Sequence, residues 1–349
     1  MYLCNEINND KTKHDYYDTN ILYGETDIII HIVMPLNAIT AQAQKQKTET
    51  KATASQEETL VFTPQWTAQA QFAGYYVAEA KGFYREAGVK VRIEHPISTQ
   101  PAMSRLCNNQ CQATTLQLCQ AIELIDSGTP LVNILQTSMN NAMVIVSARG
   151  KEPMKQKGAK VGIWSVGFGQ LARCMSNKEH LNYQWIRFAQ NVNLFLTGAL
   201  DATLAMSYNE YYQLLQAGIE MTDKNVYRFS DHGYNVQEDG VYMMRSYYEE
   251  HKDQARRFAQ ASRKGWEWAA KHPEEALDIV MEYVTRDRIA TNRIMQRLML
   301  KEILRLQVDR ESKKREFRLR PDMVRQASRL MFENKILDRE VTYEELLGK

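Results

Sequence analysis

Glycine and proline are scarce in this chain, 16 and 8 in 349 residues. Both interrupt regular structure, so their scarcity predicts long elements and many helices. No apolar run reaches the roughly 18 residues expected of a membrane-spanning helix. The stretch 28–39 (IIIHIVMPLNAI) comes nearest, and His31 and Pro35 interrupt it. An excess of one charge is also lacking. Lys plus Arg is 44 and Asp plus Glu is 42, a net charge of +2, which argues against a dedicated nucleic-acid binder. The one basic run, 313–320 (KKREFRLR), contains Glu316 and reads as a solvated helix end. Cysteines are few: Cys4, Cys107, Cys111, Cys119 and Cys174. No histidine lies among the central three to complete a zinc site, and five are too few for a disulfide framework in a chain this long. They read as small buried apolar thiols. What is present is ordinary for a globular protein, 44% hydrophobic and 25% charged. At about 150 residues per domain the length predicts two domains.

The apolar stretch 28–39 runs into Thr40-Ala41-Gln42-Ala43, whose Ala-x-Ala pattern a signal peptidase accepts. The expectation is export to the periplasm or cell envelope, with a mature chain starting at Gln44. Asp and Glu precede the apolar stretch where a signal peptide carries basic residues, so a leader with a chance apolar patch is the alternative. Residues 44–58 are polar and low in complexity and read as a flexible tether, leaving 1–58 outside the folded part.

From residue 60 short apolar runs alternate with helical spacing. Leu60 to Phe62 ends at Pro64 as a buried strand would, and 71–84 (QFAGYYVAEAKGFY) follows with Phe72, Tyr75, Tyr76 and Ala80 at helical intervals. Further strands are expected at 89–93, 113–118, 131–136, 142–146 and 160–164, with a turn at 127–130. Beyond Tyr247 the pattern is almost wholly helical, Phe258, Ala261, Gly265 and Trp268 sharing one face. Such alternation implies an α/β fold with largely parallel sheets. The break near residue 150 implies two lobes: 59–146 with 240–349, carrying a helical C-terminal extension, and 147–239.

The stretch 65–89 (QWTAQAQFAGYYVAEAKGFYREAGV) resembles the first lobe of the periplasmic solute-binding proteins of the nitrate, sulfonate and thiamine-pyrimidine-precursor group, which also includes fungal hydroxymethylpyrimidine phosphate synthases. Further matches follow in order: 125–130 (IDSGTP) resembles the family's Gly-x-Pro turn, 157–162 (KGAKVG) its entry into the second lobe, 198–202 (GALDA) its Gly-x-x-Asp-Ala, and 258–273 (FAQASRKGWEWAAKHP) its helix with regularly spaced Ala and Gly. The likeness covers roughly 58–335. It implies a two-lobed, type II periplasmic-binding-protein-like fold and an ABC transporter permease as partner. Two loops depart from the family pattern, 94–98 (EHPIS) and 107–111 (CNNQC).

A cleft between lobes must offer aromatic faces and a few placed polar groups. Trp66 follows the first strand, where ligands bind in open α/β sheets; a core indole is the alternative. Gln71 begins the next helix and its amide can read a heteroaromatic nitrogen, unless it is only a solvated helix start. In the second lobe Trp164-Ser165-Val166-Gly167-Phe168-Gly169-Gln170 offers free backbone N–H groups at a helix start. Met206 to Tyr211 is similar to the aromatic-Asn-x-Glu stretch that faces the ligand in pyrimidine-precursor binders. There Tyr208 would stack and Glu210 accept from an amino group, or Glu210 would merely complement the helix dipole. The expected ligand-binding set is Trp66, Gln71, Gln117, Ser138, Trp164, Gly167, Gln170, Tyr208, Asn209 and Glu210.

The expected function is binding of a small heteroaromatic, such as a thiamine pyrimidine precursor, for an ABC importer, with no cofactor, no metal and no nucleic-acid partner. Alternatives are a ligand-sensing module and a pyridoxal-phosphate-dependent enzyme like the fungal synthases. The positions matching those enzymes' cofactor Lys and ring-donating His hold Leu116 and Gln120, and 233–240 has none of their cysteines, which argues against the enzyme.

Overall fold

The computed structural model describes residues 58–189 and 192–348. The expected cleavage site and nearly all of the tether lie outside the described residues. Ten strands alternate with helices: β1 (Leu60–Thr63), β2 (Val91–Ile93), β3 (Ala113–Gln117), β4 (Leu131–Gln136), β5 (Met143–Ser147), β6 (Lys160–Trp164), β7 (Gln184–Phe188), β8 (Ala202–Met206), β9 (Val226–Arg228) and β10 (Asp239–Met244). They form two five-stranded sheets, β2-β1-β3-β10-β4 and β7-β6-β8-β5-β9.

Three strands of each sheet are parallel: β2, β1 and β3 in the first, and β7, β6 and β8 in the second. The central strands β1, β3 and β8 are buried along their whole length, as the short apolar runs predict for strands covered on both faces. The expectation of largely parallel sheets needs correction, because β10 runs antiparallel to both β3 and β4, and β5 antiparallel to both β8 and β9. These are the strands by which the chain enters each sheet from the other one. A strand arriving from the opposite side runs against its hosts. The division expected at 146 falls inside β5, whose five residues all pair with β8 in the second sheet, so the first crossing is 137–142.

The crossings are tied together. The Thr137 and Ser138 amides both donate to the Asp239 carbonyl, at 2.9 and 3.0 Å. The Glu238 carboxylate accepts from Asn141 Nδ2 at 3.1 Å and from the Ala142 amide at 3.2 Å. Met139 N donates to the Leu306 carbonyl, fixing the first crossing to the C-terminal helices.

Helix α1 (Ala73–Ala80) follows a 3-10 turn at Ala70–Phe72. The single helix expected over 71–84 is broken at Gly82, whose φ of 78° is left-handed, before a short helix at Phe83–Glu86. Further helices are α2 (Leu118–Asp126), α3 (Gln170–Lys178), α4 (Glu210–Gln216), α5 (Lys252–Lys271), α6 (Pro273–Arg286), α7 (Arg293–Leu306) and α8 (Pro321–Glu333). Helix α5 packs along α1 over an aromatic core: Phe62 lies 4.7 Å from Tyr75 and 5.4 Å from Phe258, and Tyr75 meets Trp266 edge-on at 5.6 Å. Each such buried side chain contributes about 1.5–3 kcal/mol. The close approach is set by Gly74 and Gly265. A Cβ on Gly265 would stand 2.0 Å from the Gly74 carbonyl oxygen, and one on Gly74 would stand 2.1 Å from the Trp266 ring.

Cys111, Cys119 and Cys174 are buried free thiols, as the sequence suggests; Cys107 is half-buried. Among the described residues no helix is long and apolar enough to cross a membrane, and no cluster of three or more His, Cys, Asp or Glu could hold a metal ion.

Candidate functional site

The loops that follow the parallel strands of both sheets converge. Gln65 and Trp66 follow β1, Gln69 and Gln71 lie on the turn before and within the 3-10 segment, and Gln117 ends β3. From the other sheet, Trp164 ends β6, Phe168 lies in the loop beyond it, Met206 ends β8, and Tyr208, Asn209 and Glu210 lead into α4. All eleven line one cleft. The free space they enclose is about 20 Å³, the room of about one water, so a ring-shaped ligand needs the lobes to part. Trp66 and Phe168 face each other across the cleft with centroids 6.2 Å apart, and Trp164 meets Phe168 edge-on at 6.1 Å.

Trp66 is held from behind. His95 Nδ1 lies 2.6 Å from the Trp66 carbonyl oxygen and its Nε2 lies 2.6 Å from the Tyr76 hydroxyl. Burial pushes the imidazole down to about 4, so it is neutral near pH 7. A carbonyl only accepts, so Nδ1 carries the proton and Nε2 accepts from Tyr76. The loop 94–98, one of the two departures from the family pattern, thus supplies the brace for the aromatic wall.

The carboxamides are oriented by a buried carboxylate. Gln65 Nε2 donates to Asp239 Oδ1 at 3.0 Å and Gln71 Nε2 to Oδ2 at 2.6 Å, while Gln69 Nε2 donates to Gln71 Oε1 at 2.7 Å. An ionised carboxylate cannot donate, so the polarity of both amides is fixed. Gln65 Oε1 and Gln117 Nε2 are then buried with no hydrogen-bond partner among the described residues, one an acceptor and the other a donor. In the second lobe Glu210 accepts from Trp164 Nε1 at 3.1 Å, from Asn209 Nδ2 at 3.1 Å and from the Met206 amide at 2.9 Å. Burial raises its pKa even so. Among the described residues no Lys, Arg or His lines the cleft.

Of the ten residues expected from the sequence, Trp66, Gln71, Gln117, Trp164, Tyr208, Asn209 and Glu210 line this cleft. Ser138 does not; its hydroxyl donates to the Asn140 carbonyl within the first crossing, at 2.8 Å. Nor do Gly167 and Gln170. Gln170 Nε2 donates to the Gly167 carbonyl and, across the lobes, to Glu123 Oε2 on α2, both at 2.7 Å. Arg173 pairs with the same carboxylate at 2.9 Å, and Gln120 Nε2 donates to the Val166 carbonyl at 3.1 Å. The expected ligand-binding set leaves out Gln65, Gln69 and Asp239, and also Phe168 and Met206, although these two lie inside the stretches singled out in the sequence. The strand-end position of Gln65 and Met206, adjoining Trp66 and flanking Tyr208, was the available signal.

Burial raises the Asp239 pKa from its ordinary 3.8 to about 6, against the hydrogen bonds from Gln71 and Gln65, and burial with the neighbouring Asp239 charge raises Glu238 well above its own ordinary value. Between 3.8 and about 6 the folded chain keeps a proton on Asp239 that the unfolded chain has lost. Stability is therefore expected to fall as pH rises through that window, and Glu238 acts in the same direction. Urea unfolding of wild type and Asp239→Asn at both ends of the window tests this: the variant should show a shallower fall. An equal fall in both would remove Asp239 as its source.

The NMT1/THI5 like family model matches residues 69–276. The riboflavin-binding protein RibY of Chloroflexus aurantiacus is 23% identical over 248 residues, which cover 67% of this chain and 68% of RibY. The ligand-binding component of an ABC-type import system from Staphylococcus aureus, solved with zinc bound, superposes with a TM-score of 0.62 at 9% identity, covering 83% of this chain and 96% of that one. The periplasmic aliphatic sulphonate binding protein SsuA of Escherichia coli gives a TM-score of 0.55 at 12% identity, covering 82% and 91%. With two sheets, paired crossings and strand-end loops meeting in one cleft, the chain belongs to the NMT1/THI5 like family and has the fold of the solute-binding components of ABC importers.

Proposed function

We propose that this protein is the exported solute-binding component of an ABC importer and that its ligand is a small uncharged or amino-bearing heteroaromatic, a thiamine pyrimidine precursor being the specific case. The observation that carries the reading is the chemistry of the cleft wall: Trp66, Trp164, Phe168 and Tyr208 beside a row of carboxamides and the Glu210 carboxylate, with no cation among the described residues. A sulfonate or nitrate would be buried there without a positive partner, which is costly. An aromatic ring carrying an N–H next to a ring nitrogen or carbonyl would instead satisfy the unpaired Gln65 acceptor and Gln117 donor. The name of the riboflavin-binding relative supports the same ligand class.

Binding would draw the two sheets together about the crossings 137–142 and 229–238, and a membrane permease would sense the closed form. Export is supported by the Ala41-x-Ala43 pattern, and sequencing of the native protein's N-terminus should give Gln44. Against a synthase-like enzyme, Leu116 lies within β3 and carries no amine, and the Gln120 amide is engaged by the Val166 carbonyl.

The test is thermal unfolding of the protein with hydroxymethyl- and formylamino-pyrimidines, riboflavin, an aliphatic sulfonate and nitrate. A heteroaromatic at a hundredfold excess over Kd should stabilise by about 2.7 kcal/mol. Stabilisation by sulfonate or nitrate alone would overturn the ligand class.

A further inference from the structure

A second cavity, of about 350 Å³, lies on the other side of the segment that forms the second-lobe wall of the cleft. Ser207 lines this cavity, while its neighbours Met206 and Tyr208 line the cleft. The cavity sits between the β5–β9 edge of the second sheet and the C-terminal half of α7, and its size is within the range of small-molecule sites. Three guanidiniums and two carboxylates line it. Arg305 grips Glu302 through two hydrogen bonds of 2.7 Å, and Arg310 pairs with Asp231 at 3.3 Å. Arg228 is left over. It has no carboxylate within ion-pair distance among the described residues; it packs on the Tyr211 ring at 5.1 Å and donates to the Tyr211 hydroxyl at 3.3 Å.

We propose that this cavity is a second ligand site, distinct from the interlobe cleft, that takes a small molecule through an oxyanion group, a phosphate or its ester, held by Arg228. The charge count leaves one positive charge uncompensated in a half-enclosed space. A guanidinium offers a planar fork of donors matched to an oxyanion. The Tyr211 hydroxyl, accepting from Arg228, keeps its own proton to donate to the same ligand. The site reaches the cleft by two routes, the shared segment at Ser207 and helix α7, whose Gln296 Oε1 accepts from the Ala70 amide at 2.7 Å beside Gln69 and Gln71. The Ser207 hydroxyl donates to Glu302 at 2.8 Å and joins those routes.

The site stands independently of the cleft's ligand, and so does its test. Inorganic phosphate and phenyl phosphate are titrated calorimetrically into wild type, Arg228→Gln, Arg310→Gln and, as a control, Arg256→Gln on the exposed face of α5, with sodium chloride at matched ionic strength. Wild type should bind one phosphate saturably. Arg228→Gln should weaken binding roughly tenfold or more, as loss of a charge-assisted bond predicts. Arg310→Gln should weaken it too, by freeing the Asp231 charge, and guards against a folding defect in the Arg228 variant. Arg256→Gln should bind as wild type. Tighter binding of phenyl phosphate than of phosphate would assign the site to an ester, and equal binding to the free anion. No saturable binding, an effect reproduced by chloride, or equal affinity in wild type and both cavity variants would overturn the proposal.

Discussion

Gly265→Ala is expected to destabilise the protein by about 3 kcal/mol or more, among the larger effects of a single methyl group. The new Cβ would lie 2.0 Å from the Gly74 carbonyl oxygen and 2.9 Å from the Ala78 amide nitrogen, both backbone atoms of α1, and 2.9 Å from the Ala78 Cβ. Backbone cannot swing aside as a side chain can, so α1 and α5 must separate. Separation would open the packing of Phe62, Tyr75, Phe258 and Trp266. The higher helix propensity of alanine returns only about 1 kcal/mol. The reverse substitution elsewhere on the helix, Ala270→Gly, should cost only about 1 kcal/mol and serves as a control. Urea unfolding followed by circular dichroism reads both. A Gly265→Ala midpoint equal to that of wild type would mean the two helices are not in contact as described. Because the 3-10 segment leading into α1 carries Gln71, the surviving folded fraction should also bind ligand less tightly.

That glycine shows what the sequence makes legible. Its helical interval from Phe258, Ala261 and Trp268 is a local pattern, and local patterns carry the strands β1, β3 and β5 and the helices α5 to α8 as well. The strands without a local signal are the ones missed. No strand is expected at β7, β9 or β10. β7 is an edge strand with four of its five residues at least partly exposed, and β9 is a three-residue edge, so neither needs an apolar run or a clean alternation. β10 opens with Asp239 and Gly240, which read as a loop, yet it is buried over five of its six positions between β3 and the edge strand β4 of the first sheet. Its place is set by pairing with β3 and β4, more than a hundred residues earlier in the chain. The site divides the same way. Trp66, Trp164 and Tyr208 are legible because ligands gather where parallel strands end. Asp239 is not, because its role consists of bonds to Gln65 and Gln71, residues 174 and 168 positions away. Gln170 follows the expected loop but turns to Glu123 of the other lobe, a partner that no spacing within its own segment announces.

Trp66→Ala is expected to weaken binding of the heteroaromatic ligand by roughly tenfold to a hundredfold, the equivalent of about 1–3 kcal/mol for one stacking face. The melting temperature of the ligand-free protein should move little, because Trp66 is only half-buried and packs at the edge of the core, its ring meeting Phe168 of the second lobe. This separates a ligand wall from a core indole, which would give the opposite pair of results: a lower melting temperature and unchanged affinity in what still folds. Trp66 is the better probe of the cleft than Glu210 or Tyr208. Glu210 is 1% exposed and accepts from three protein donors, so Glu210→Gln leaves Trp164, Asn209 and the Met206 amide competing for one carbonyl oxygen and disturbs folding as well as binding. Tyr208 is 3% exposed and its loss would open a cavity beneath the wall. At Trp66 the backbone is held by His95 whatever the side chain, so truncation removes the ring and leaves the loop in place. Calorimetric titration of Trp66→Ala and wild type with whichever heteroaromatic stabilises the wild type, alongside their ligand-free melting curves, measures both quantities. Equal affinities would remove Trp66 from the site while leaving the fold and family of the protein unchanged.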